Sequence, residues 1–269
     1  MRDYIYRIPK KIWYKLGPHG MSEDIRNWTS SCINLNPGYE VVFLNDETGD
    51  HYVQRFFASR PDIVATYLGL TVPIVKADIL RYLLLYNEGG IWSDLDISCE
   101  GVPIDEWIPD DYKRRTGLVV GWEFDYGWPG EIVRQFASWT IMAQAGSPHM
   151  MQVIEDILEI IHEILEENKV SVENATLAMM GNVVDFSGPR RMTHGIYKSL
   201  GKQLNRTIEE SDLNQILQPK LVGDVLIMPG RSFAASANTY KPEEAEHLPP
   251  KLVTHHYAGT WRNDHGGEV

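Results

Sequence analysis

The sequence predicts an α/β fold, a layer of strands covered by helices. Three observations predict it. Short apolar runs alternate with longer segments of helical apolar period along the chain. The first 44 residues read strand, helix, strand, the opening of an α/β layer. Internal repeats and low-complexity linkers are absent, so residues 1–269 are expected to form one domain, a length sufficient for a large core.

Residues 10–16 form the first predicted strand, rich in bulky apolar side chains, and Gly17-Pro18-His19-Gly20 is a loop. Ser22 is a good N-cap for a helix to about residue 34, and Glu23 and Asp24 suit its first turn. Asn36-Pro37-Gly38 is a turn before a second strand over 39–44. Helices follow over 46–57, 61–68 and 72–87. The last carries Ile74, Ala77, Leu80, Leu84 and Leu85 at helical spacing, and Gly89 fits its left-handed C-terminal cap. Residues 91–93 form a strand that runs into Asp94-Leu95-Asp96. A strand over 118–123 and helices over 135–145 and 150–167 come next. A Gly-Pro loop and helix cover 187–204, a late strand covers 224–228, and 253–261 passes from strand to loop.

The formal net charge of -12 disfavours a nucleic-acid partner, which requires a basic face. It does not disfavour a phosphate ligand, because a cation and a few local basic groups outweigh the global charge. No run reaches the roughly 18 apolar residues of a membrane span. Residues 63–75 come nearest but contain Thr66, Gly69 and Pro73. The opening MRDYIYRIPKK is polar and not a signal peptide. Cys32 and Cys99 lack metal-site spacing and are expected to be free buried thiols. Asn27-Trp28-Thr29, Asn174-Ala175-Thr176 and Asn205-Arg206-Thr207 are glycosylation acceptor patterns, which lean toward a secretory location.

The chemistry concentrates in KADILRYLLLYNEGGIWSDLD, residues 76–96. Asp94 and Asp96 lie one residue apart at a strand exit. On strand geometry both carboxylates project to one side. Hard divalent cations take such oxygens and keep open positions for phosphate. Asp78 and Arg81 are three apart on a helix and share a face, which sets a guanidinium near the same place. His255 and His256 supply imidazoles near the C-terminus, and neutral imidazole suits a third position on Mn²⁺. A nucleophile elbow, a P-loop, a Gly-x-Gly-x-x-Gly turn and a CxxC pair are all missing.

In this context the chain resembles glycosyltransferase family 32, whose best-known members are fungal initiation-specific α-1,6-mannosyltransferases. The resembling pieces are Ile8-Pro9-Lys10-Lys11-Ile12, the block at 76–96, Asp185-Phe186-Ser187-Gly188-Pro189, Gly223-Asp224-Val225 with Met228-Pro229, and His255-His256-Tyr257-Ala258-Gly259-Thr260-Trp261. They follow the family's order over nearly the whole chain. The resemblance implies a GT-A type, Rossmann-like nucleotide-sugar fold in one catalytic domain. It implies that Asp96 binds the cation directly and that Asp94 holds the donor ribose or a metal-bound water. Asp78 would meet the donor sugar's hydroxyls with Arg81 beside it. His256 has the family's His-x-x-Gly spacing and is preferred as metal ligand, with His255 the alternative. Gly188 and Pro189 would form a tight loop by the sugar, and Trp261 would contact the cofactor site. Glu123, Asp125, Gln135, Trp139 and Thr140 resemble the pocket wall. Two departures stand out. Trp13 replaces a usual histidine, leaving a core or base-stacking role open, and Arg190-Arg191 replaces a usual glycine, leaving diphosphate contact or simple solvation open.

The implied activity is metal-dependent, retaining transfer of mannose from GDP-mannose, with Mn²⁺ or Mg²⁺, to an N-glycan or other mannose-containing acceptor. Mannosylation of a sphingolipid head group and a noncatalytic sugar-binding subunit are the alternatives. The resemblance also implies a Golgi-lumen location and tethering by an N-terminal anchor outside these residues.

Overall fold

The computed structural model describes residues 8–127 and 134–259. In chain order the elements are β1 (Lys11–Lys15), α1 (Glu23–Leu35), β2 (Glu40–Leu44), α2 (Asp46–Phe56), α3 (Pro61–Gly69), α4 (Pro73–Asn87), β3 (Gly90–Ser93), β4 (Ile97–Cys99), β5 (Leu118–Gly121) and β6 (Thr140–Ala143). Then follow α5 (Pro148–Asn168), α6 (Leu177–Met180), α7 (Val183–Phe186), α8 (Pro189–Leu204), β7 (Lys220–Val222), β8 (Val225–Met228), α9 (Gly230–Ala234), α10 (Pro242–Ala245) and β9 (Val253–His255).

Among the described residues a seven-stranded sheet runs β2-β1-β3-β6-β5-β8-β7, and β4 pairs with β9 in a small second sheet. β2, β1 and β3 are mutually parallel, as are β5 and β8, while β6 lies antiparallel between β3 and β5. The α/β, Rossmann-like class expected from the sequence is therefore present. The carboxyl ends of β1, β3, β5 and β8 all meet one edge, where open α/β sheets place their ligands.

Strand period two sorts the core. Trp13, Trp92, Leu118, Val120, Ile141 and Ile227 point to one face, under α4, α5 and α8. Ile12, Tyr14, Ile91, Val119, Met142 and Leu226 point to the other, against Trp107, Phe233, Leu252 and Val253.

Ser22 caps α1 by accepting from the Ile25 N–H, as its residue type predicts. Asn45 and Thr48 form a reciprocal capping box on α2. At the end of α4 the Gly89 N–H reaches the Leu85 carbonyl at 3.1 Å, and Gly89 adopts φ +70°. A Cβ there would come within 2.6 Å of the Ala145 nitrogen, so both conformation and space require glycine. Trp13 is 2 % exposed and donates its indole N–H to the Gly89 carbonyl at 2.8 Å. It is a core residue that locks the Gly89-Gly90 turn.

Two sequence expectations are corrected here. The helix expected over 135–145 is instead β6, preceded by a bridge from Phe136 to Trp122. Phe136 to Ala143 is buried throughout, and a strand buried on both faces carries no alternation to separate it from a buried helix. The cysteines are not free. Cys32 of α1 and Cys99 of β4 form a disulfide. The sequence separates them by 67 residues, and only the packing of β4 against α1 brings them together. β4 itself was not anticipated.

Candidate active site

The Asp94-Leu95-Asp96 triplet follows the strand exit as expected, and it is a turn that does not continue strand geometry. β3 stops at Ser93, and the Ile97 N–H closes a turn on the Asp94 carbonyl at 3.2 Å. In that turn the two carboxylates take different partners. Asp94 accepts from the Trp92 indole at 2.6 Å and faces Arg81 Nη2 at 3.5 Å. Asp96 Oδ2 faces His255 Nε2 at 3.2 Å and accepts the Ala258 N–H at 2.9 Å. The turn is anchored by the Asp94 N–H on the Trp139 carbonyl and by the His256 N–H on the Asp96 carbonyl, both at 2.9 Å.

Arg81 stands behind the turn. Its guanidinium also lies 3.1 Å from Asp78, so one buried cation serves two carboxylates, and it stacks over Trp92 at 5.1 Å. Its Nε and Nη1 groups are buried with no hydrogen-bond partner among the described residues. Buried donors of this kind fit the oxygens of an anion or a sugar hydroxyl. Asp78 is only 3 % exposed, and its second oxygen accepts from the Ser187 hydroxyl at 2.8 Å. Burial pushes the Asp78 and Asp94 carboxyls above the usual carboxylate value, with Arg81 opposing the rise. Burial would likewise raise Asp96, but the hydrogen bond and charge of His255 and the Ala258 N–H together hold it below that value.

His255, not His256, meets Asp96. His255 is sandwiched between Trp139 at 4.3 Å and Tyr257 at 3.9 Å between ring centroids. His256 turns the other way, stacks on Trp28 at 4.5 Å and pairs with the Ser98 hydroxyl at 2.8 Å. Of the two expected candidates, His255 is the one placed against Asp96. His255 ends β9 and His256 follows it, and the two consecutive side chains leave the backbone on opposite sides, which spacing to a downstream glycine cannot reveal.

The pocket-wall residues divide. Trp139 lies against His255, and Glu123 is buried at the exit of β5, accepting from Gln135 Nε2 at 2.7 Å. Thr140 is fully buried, its hydroxyl unpartnered. Asp125 instead accepts the Gln215 and Ile216 N–H groups and anchors a loop. Gly188 caps α8 with Pro189 at its first position, and Ser187 just before them is the residue that reaches Asp78. The Ser-Gly-Pro triplet was legible, but not that the serine hydroxyl would do the work. Arg190 pairs with Asp185, and Arg191 Nε donates to the Asp185 and Phe186 carbonyls. These arginines brace their own turn. Thr260 and Trp261 lie outside the described residues.

Among the described residues no group of three or more His, Cys, Asp or Glu is spaced to hold a metal ion. Asp96 and His255 still fit two positions on one cation. Their facing atoms are 3.2 Å apart, and neighbouring ligands of an octahedral ion bound at about 2.1 Å lie about 3 Å apart. The remaining positions would fall to diphosphate and water.

Comparison with known proteins sets this geometry beside the glycosyltransferases. Residues 22–113 match the model described as "Glycosyltransferase sugar-binding region containing DXD motif". The initiation-specific α-1,6-mannosyltransferase of Candida albicans is 28% identical over 96% of this chain and 73% of its own length. That of Schizosaccharomyces pombe is 30% identical over 96% of this chain and 64% of its own. A mannosyl phosphorylinositol ceramide synthase of Saccharomyces cerevisiae is 32% identical, over only 35% of this chain and 24% of its own length. The solved PaToxG glycosyltransferase covers 74% of this chain and 75% of its own at 18% identity, with a TM-score of 0.49. Residues 22–113 thus match a glycosyltransferase sugar-binding region with its DXD motif, and nearly the whole chain is similar to the fungal α-1,6-mannosyltransferases.

Proposed function

We propose that residues 1–269 form one catalytic domain that transfers mannose from GDP-mannose to a mannose-containing glycan, with retention at the anomeric carbon and dependence on Mn²⁺ or Mg²⁺. The observation that carries this is the split DXD turn. Asp94 is tied to a buried guanidinium with unspent donors, and Asp96 to an imidazole, at the carboxyl edge of the sheet. Asp96 and His255 would hold the cation, and when bound it supplies Lewis-acid neutralisation of the leaving diphosphate. Arg81 supplies fixed positive charge on the other flank, oriented by Asp78 and Asp94 before substrate arrives. Asp78, closed off by Ser187 here, would reach the sugar's hydroxyls when that hydroxyl gives way. In a front-face attack the donor phosphate takes the acceptor's proton, so no dedicated protein base is required.

The glycan acceptor is favoured over the sphingolipid head group by coverage. The α-1,6-mannosyltransferases align over 81–96% of the chain, whereas the ceramide-modifying relatives align over 34–35%. The Cys32–Cys99 disulfide and the exposed Asn27, Asn174 and Asn205 support a Golgi-lumen location. Among the described residues no helix is long and apolar enough to cross a membrane, so tethering would come from residues outside them.

The test is incubation with GDP-mannose, UDP-glucose, UDP-galactose and UDP-N-acetylglucosamine, each with a mannose disaccharide, and proton NMR of the product. An α-linked mannoside from GDP-mannose alone is expected. Preferential use of a UDP sugar, or a β-linked product, would overturn the donor or the stereochemistry.

A further inference from the structure

Tyr257 is one of two large apolar side chains that stay exposed among the described residues, at 51 %. The other, Phe56, leans on Tyr52 within α2 and lies outside the site. Tyr257 also adopts φ +50°, a left-handed conformation that a bulky residue enters only under constraint and that concentrates at functional sites. The constraint is visible. The next residue, Ala258, donates its N–H to Asp96, so the same chain segment that holds the DXD turn forces Tyr257 into place.

The ring is fixed as well as exposed. One face packs on His255 at 3.9 Å, its edge meets Trp139 at 5.9 Å, and its hydroxyl interacts with Ser236. What remains open is a flat aromatic face beside the transfer centre. Glu123 lies near enough to interact electrostatically with both His255 and Tyr257. The residue is 8 % exposed, with Gln135 as the one side chain hydrogen-bonded to its carboxyl and no Lys or Arg paired to it among the described residues. An aromatic face for C–H groups beside a carboxylate for hydroxyls is the chemistry that recognises a pyranose ring. A carboxylate without a cation disfavours an anionic guest.

We propose that the open face of Tyr257, with Glu123, forms the acceptor subsite and takes a neutral hexopyranose rather than a phosphorylated head group. The assignment depends on the transferase activity proposed above. Tyr257 stacks on the sugar, and Glu123 accepts its hydroxyl hydrogen bonds.

The test uses methyl α-mannoside as probe, read by saturation-transfer NMR, alongside acceptor KM in the transfer assay. Tyr257→Asn removes the ring yet suits a left-handed backbone, so the loop and Asp96 contact are kept. It is expected to raise acceptor KM and weaken the probe about tenfold, the scale of one aromatic stacking contact. Tyr257→Phe keeps both near wild type. Unchanged KM and probe signal in Tyr257→Asn would overturn the assignment, as would better use of a phosphoinositol acceptor than of the neutral mannoside. If the wild type transfers from no donor, the activity proposal fails. The NMR signal then still decides whether Tyr257 binds a sugar.

Discussion

Replacing Arg81 by methionine is expected to destabilise the protein by about 3–5 kcal/mol, the usual cost of stripping a buried ion cluster of its cation. The side chain is 6 % exposed and stands between Asp78 at 3.1 Å and Asp94 at 3.5 Å. Both carboxyls already sit above the ordinary value because they are buried, and Arg81 is what restrains the rise. Without it they rise further and take up protons. The pH dependence has a definite sign. A carboxyl raised in the folded state binds more protons folded than unfolded. It therefore favours folding below its unfolded pKa, and that advantage is lost as pH rises through the folded value. The Arg81→Met deficit should be smallest in acid and grow toward neutral pH. Thermal melts at pH 5 and 8 check this, with a fall in Tm on the order of 10 °C at the higher pH. Adding Asp78→Asn should recover part of the loss, because the two sites are in contact and will not be additive. An unchanged melt at both values would show that the cluster carries no net charge balance.

The double substitution Cys32→Ser/Cys99→Ser should cost about 4 kcal/mol, the chain-entropy value for a cross-link spanning 67 residues. Denaturant unfolding measures it. The effect should reach beyond stability. Cys99 ends β4, which follows the DXD turn directly and pairs with the strand that presents His255. The disulfide fastens this small sheet to α1, helped by the Cys99 N–H on the Ser31 hydroxyl and by His256 stacked on Trp28. Releasing it should weaken metal-dependent nucleotide binding together with stability. A loss of stability with binding intact would separate the staple from the site.

Much of this arrangement was legible in the sequence, for reasons that also mark the limits. Ser22, Gly89 and the apolar spacing of α4 act locally, so their structure follows from residue type. Asp78, Arg81 and Asp94 converge because a helix, a glycine turn and a strand lie in immediate succession. The rest depends on contacts between distant segments. The partners of Cys32 and Cys99, the reach of Ser187 to Asp78 and the contact of His255 with Asp96 are set by how β4, β9 and α8 pack. β6 was mistaken for a helix because burial on both faces erases the period that would identify it.

The most direct measurement is calorimetric titration of the wild type and Asp96→Ala with GDP, with and without Mn²⁺. Binding that requires Mn²⁺ in the wild type and is lost at least about a hundredfold in Asp96→Ala is the predicted result, since the variant keeps one protein ligand of two. GDP binding of equal strength with and without the metal, or unaffected by Asp96→Ala, would contradict the account of the DXD turn as a cation and diphosphate site.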